Sequence, residues 1–82
     1  MKENIKAMIV DFISVRSKIP KKELTADLEV YDSNIISSLS LLELVTLIEN
    51  QYAIVIEPED LTEDNFKYIG TIVDYVDGKI HA

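Results

Sequence analysis

Two neighbouring serines, Ser37 and Ser38, carry most of the chemistry open to this chain. They close a polar stretch and lead directly into Leu39-Ser40-Leu41-Leu42-Glu43-Leu44-Val45, the start of an apolar run. A hydroxyl in that place has three uses. It can cap a helix by accepting from an unpaired first-turn N–H. It can act as a nucleophile, if a base lies within hydrogen-bonding reach. It can also bear a phosphate group, because the N–H groups and dipole of a helix start favour an anion. The helix pattern by itself favours a cap and leaves open whether Ser37 or Ser38 supplies it. A nucleophile lacks its base. The single histidine, His81, is next to the C-terminal residue, and Glu43 projects about a turn and a half beyond Ser38.

Other chemistries are poorly represented. The only glycines are Gly70 and Gly78, so there is no glycine-rich phosphate loop. Without cysteine there is neither a disulfide framework nor a thiolate metal site. Asp27, Glu29 and Asp32 fall close together, but the calcium-loop pattern, with its glycine and terminal glutamate, is missing. No metal is expected.

The elements that must position the serines follow from periodicity. Ile5, Met8, Ile9, Phe12 and Ile13 fall on one helical face and predict helix I over Asn4 to Arg16, stopped by Ser17-Lys18-Ile19-Pro20. A long connection from Glu23 to Ser37 follows, anchored by Leu24, Leu28, Val30, Ile35 and Ile36. Helix II runs from the serines to Tyr52 without Gly or Pro. Leu41, Leu42, Leu44, Val45 and Ile48 make its broad apolar face, while Leu39 and Leu47 fall in its polar sector and are candidates for partner contact. Ala53 to Ile56 is expected to be an extended, buried connection, since a lone strand is unstable. Glu57 to Leu61 turns the chain, and Thr62 to Phe66 predicts a short capped helix III. Ile69, Ile72, Val73 and Val76 predict helix IV, ended by Asp77-Gly78 with a left-handed glycine cap. The expected architecture is all-α: a small four-helix bundle of three main helices and one short helix, with a long loop between helices I and II.

Eighty-two residues bound this to one small domain with a modest core, too small for an enclosed substrate cavity plus a catalytic set. The net charge is −7 and is unevenly spread. Met1 to Lys22 holds six of the eight basic residues, whereas thirteen acids from Glu23 onward face only Lys67 and Lys79. The acidic part should repel nucleic acid and anionic membrane, and attract basic protein surfaces. No apolar run approaches a membrane span and no signal peptide is visible, so a cytoplasmic monomer is expected.

The run Asn34-Ile35-Ile36-Ser37-Ser38-Leu39, followed by Glu43-Leu44-Val45, resembles the prosthetic-group motif of acyl carrier proteins: a glycine, an apolar pair, Asp-Ser-Leu, then Glu-Leu-Val in the next turn. The similarity continues through Ile48-Glu49, Tyr52, Ile54-Val55-Ile56-Glu57-Pro58, Asp60-Leu61-Thr62, Phe66 and Tyr75-Val76-Asp77-Gly78. It covers most of the chain and is nearest the free-standing, specialised carriers. The resemblance implies that Ser38 is the attachment site for 4′-phosphopantetheine, taken from coenzyme A by a phosphopantetheinyl transferase. It implies that acyl or aminoacyl groups then ride as thioesters between acyl-activating or acyl-transferring enzymes, and that the chain is not itself an enzyme. Leu39, Glu43, Leu47 and Glu49 are the implied partner contacts. Ser37 stands where the motif has aspartate and Asn34 where it has glycine, so an unmodified docking domain is the alternative. Asp32-Ser33 is a decoy: it has five more residues before Glu-Leu-Val and no apolar helix start behind it. Tyr68 replaces the threonine that usually caps the last helix.

Overall fold

A computed structural model describes residues 2–31 and 35–82. The described residues form a small all-α domain: α1 (Lys2–Ser17), α2 (Ser38–Tyr52), the single-turn α3 (Glu63–Phe66) and α4 (Ile69–Ile80), with 3-10 turns at Lys21–Glu23 and Pro58–Asp60. No described helix is long and apolar enough to cross a membrane.

Helix α1 buries Ile5, Ile9, Val10 and Ile13, chiefly against α4. It begins earlier than its apolar stripe and ends at a left-handed residue, Lys18, with φ 64°. Lys18 N–H donates to the Ser14 carbonyl, and Ser17 Oγ donates to Ile13 O while accepting from Ile19 N–H. These bonds satisfy the frayed end, and Pro20 completes the stop.

The long connection is pinned at two levels. Leu24 and Val30 are buried in the core. The backbone then pairs with the α3–α4 junction: Val30 N–H donates to Lys67 O, Ile69 N–H to Leu28 O and Gly70 N–H to Ala26 O, beside a lone bridge between Glu29 and Tyr68. Gly70 permits this approach, since a Cβ there would lie 3.0 Å from the Ala26 carbonyl oxygen.

Helix α2 buries Leu44, Val45 and Ile48. Leu42, expected on the same face, is instead 53% exposed, because the apolar arc is wider than the surface α1 and the rest of the core cover. The helix ends at left-handed Ala53. Beyond it, only Ile56 is fully buried; Val55 points outward at 64% exposure, so the expected buried run alternates. In α3, Thr62 holds the N-cap position, but its side chain makes no capping bond. The turn is fastened by its backbone, Phe66 N–H to Thr62 O, and by Asn65 Nδ2 donating to the Asp60 carbonyl.

Helix α4 buries Ile69, Ile72, Val73 and Val76 as its spacing predicts. Its start is held by Thr71, whose hydroxyl accepts from Tyr68 N–H and donates to Tyr68 O. Its end differs from expectation. Gly78 is not a left-handed cap: no described glycine has positive φ, and the helix runs on to Ile80 with His81 as cap. A Cβ at Gly78 would meet nothing within 4 Å. Gly78→Ala is therefore expected to stabilise the protein by about 0.5–1 kcal/mol, through helix propensity and a less flexible unfolded chain. Urea denaturation measures this, and a loss of stability would restore the left-handed cap.

Candidate functional site

The mouth of α2 separates the roles of the two serines. Ser37 has extended backbone torsions, and its Oγ accepts from Ser40 N–H at 3.1 Å, so it is the cap. Ser38 is the first helical residue, is exposed, and has no side-chain partner among the described residues. The N–H groups of Ser38 and Leu39 likewise stay unpaired within the described fold, as expected of a first turn. An anionic ester on Ser38 would stand next to these donors and the positive end of the helix dipole.

Beside Ser38 opens a groove of about 490 Å³, with Ser37 and Ser38 at its edge and Tyr31, Ile36, Leu41, Leu42 and Leu61 among its walls. Leu39 projects from the same helix end at 68% exposure. Leu61, another residue of its lining, belongs to a connection fastened by three side-chain bonds. Ile56 N–H donates to Glu49 Oε2 at 2.8 Å, Asn65 Nδ2 donates to Asp60 O at 2.9 Å, and Tyr75 Oη donates to Asp60 Oδ2 at 2.7 Å. Burial first, then the bond to Asp60 and the nearby Asp60, Glu57 and Glu49 charges, hold the Tyr75 phenol neutral to well above its ordinary range.

That shift has a sign in stability. The unfolded phenol ionises near pH ~10 while the folded one does not. Its contribution is complete below that pH and is lost as pH rises through and beyond it. Tyr75→Phe should cost about 1 kcal/mol at neutral pH. It should also lose less stability than the parent on going to alkaline pH, as read by denaturation at the two pH values. Parallel pH profiles would contradict the assignment.

The other residues implied at the site are placed differently from one another. Glu43 faces α1, its Oε1 3.4 Å from Arg16 Nε, and that guanidinium lies 4.6 Å over the Phe12 ring. Leu47 is half-buried beside Met8, Phe12 and Val15 of α1 rather than projecting freely. Glu49 is engaged inside the fold by the Ile56 amide. Asp32, Ser33 and Asn34, hence the decoy pair and the residue at the motif glycine, lie outside the described residues. Among the described residues there is no cluster of His, Cys, Asp and Glu able to hold a metal.

Tyr31, Leu61, Arg16 and the Tyr75–Asp60 pair have places in or behind this site that the sequence did not reveal. Leu61 carried a signal, as a lone leucine in an acidic run; the others depend on long-range contacts. No protein-family model matches the chain, and no curated protein matches it.

Proposed function

We propose that this protein is a carrier, built as a small four-helix bundle, whose Ser38 bears 4′-phosphopantetheine and presents acyl or aminoacyl thioesters to partner enzymes. The observation that carries the reading is the division of labour at α2: Ser37 takes the cap, leaving the Ser38 hydroxyl exposed, without a partner among the described residues, at a groove whose lining mixes leucines with polar groups. The residues present fit the group. Unpaired first-turn N–H groups favour the phosphodiester, and the groove walls offer apolar cover nearby. When bound, the arm supplies the thiol that this cysteine-free chain lacks.

The chain's own part in loading is small. Ser38 Oγ forms the new bond to phosphorus and gives up its proton to a base of the transferase, as the nucleotide part of coenzyme A departs. Among the described residues, Glu43 is turned to Arg16 and His81 bonds to Asp77, so neither serves Ser38 as a base. The protein is thus acted upon, and catalysis belongs to its partners.

The test is direct. Apo protein incubated with coenzyme A and a broad-specificity phosphopantetheinyl transferase should gain the mass of one phosphopantetheine. No gain under conditions that load a control carrier contradicts the proposal. A second reading, an unmodified docking domain, draws on Ser37, which keeps the capping bond of a motif aspartate but not its charge. Native protein found bound to a partner yet never modified would favour it.

A further inference from the structure

We infer that the groove beside Ser38 seats the first part of the arm, with Tyr31 as the binding residue whose phenol donates to it. The inference rests on the carrier reading for the arm at Ser38, and adds where that arm lies when no partner holds it.

Outward from its phosphate, phosphopantetheine carries a carbon with two methyl groups, then a hydroxyl, then the first of two amides. The groove offers surface for both kinds of group. Ile36, Leu41 and Leu61 line it half-buried, and Leu42 lines it at 53% exposure, so apolar surface open to solvent lies beside the attachment point. Covering such surface is favourable in proportion to its area. The volume, about 490 Å³, is in the range of sites that hold a small organic group.

The hydroxyls of the lining belong to Ser37, Ser38 and Tyr31. Ser38 is the point of attachment, and Ser37 Oγ is engaged with Ser40 N–H. The Tyr31 phenol has no partner among the described residues, whereas that of Tyr75 donates to Asp60. The Tyr31 backbone is nevertheless held. Its N–H donates to Lys67 O at 3.3 Å, and Val30 N–H donates to the same carbonyl at 2.7 Å. Val30 is 1% exposed, which pins the segment to the core. A ring with two torsions on a held backbone loses little freedom on binding.

The phenol also decides what can lie here. A purely alkyl chain laid over it would strip its water and leave the donor unpaired. A chain with a hydroxyl or amide carbonyl close to its phosphate replaces that water with a bond. The pantetheine arm is such a chain. One bond of this kind moves an equilibrium about three- to tenfold, so the arm is seated and a partner can still draw it out.

Isotope-labelled protein, loaded by the transferase and checked by intact mass, supplies the test. In the parent, NMR is expected to show contacts between the Tyr31 ring and the two methyl groups of the arm. Loading should also shift the methyl signals of Ile36, Leu41 and Leu61. In Tyr31→Phe, which keeps the ring, the seated-to-free ratio should fall about three- to tenfold, with smaller shifts and sharper arm signals. An unchanged melting temperature of the apo variant verifies the fold. Loading shifts confined to the chain neighbours of Ser38, or identical arm signals in parent and variant, would overturn the inference. Absence of any mass gain removes the carrier reading and the seat with it, whereas mass gain with an arm that tumbles freely removes the seat alone.

Discussion

Ser38→Ala should abolish covalent loading and leave the fold within about 0.5 kcal/mol of the parent. The side chain is exposed and has no partner among the described residues, so its removal breaks no bond within them. Ser37→Ala should show the opposite profile. It removes the acceptor for Ser40 N–H and costs about 1 kcal/mol of stability, yet keeps the Ser38 hydroxyl. Ser37→Asp adds a further test. A carboxylate caps as well as a hydroxyl and places negative charge at the positive end of α2. If the motif aspartate acts through that charge, the variant loads faster than the parent. Intact mass over time, with urea denaturation in parallel, measures all three. Loading that survives Ser38→Ala but fails in Ser37→Ala would exchange the two roles.

Phe66→Ala should bring the largest loss of stability, about 3–5 kcal/mol. Phe66 is 0% exposed and its ring lies 5.6 Å from that of Tyr75. It is also the only buried residue of α3, a helix of four residues that local hydrogen bonding cannot maintain alone. The core contact thus holds α3, and through it the connection that carries Leu61. A domain of this kind retains on the order of 5–15 kcal/mol in total, so the variant approaches the unfolding threshold. The urea midpoint should fall steeply with little change in slope. A loss below about 1 kcal/mol would mean that the cavity collapses freely.

The strongest periodic signals were legible without coordinates. Ile5, Ile9 and Ile13, and Ile69, Ile72, Val73 and Val76, are buried as helical spacing predicts. The anchoring of the first connection by Leu24 and Val30 was readable too. Its backbone pairing with residues 67–70 was not, because four long-range amide bonds leave no period in sequence. Leu42 is exposed although its spacing puts it on the apolar face, because spacing defines an arc and the neighbours decide how much of it is covered. Gly78 lies within α4 although a glycine late in a helix reads as a stop, because Ile80 still packs on the core and draws the last turn onward. At the site, two adjacent serines have the same local chemistry, and the backbone torsions at Ser37 decide which one caps. The engagements of Glu43 and Glu49 depend on Arg16 and on the Ile56 amide, remote in sequence or read as mere connection.

The most direct measurement is the intact mass of the protein purified from its own source, with proteolytic peptides to locate any addition. The account predicts a species heavier by phosphopantetheine, free or acylated, with the added mass on the peptide containing Ser38. Unmodified chain in every preparation, or the addition on another residue, would contradict it.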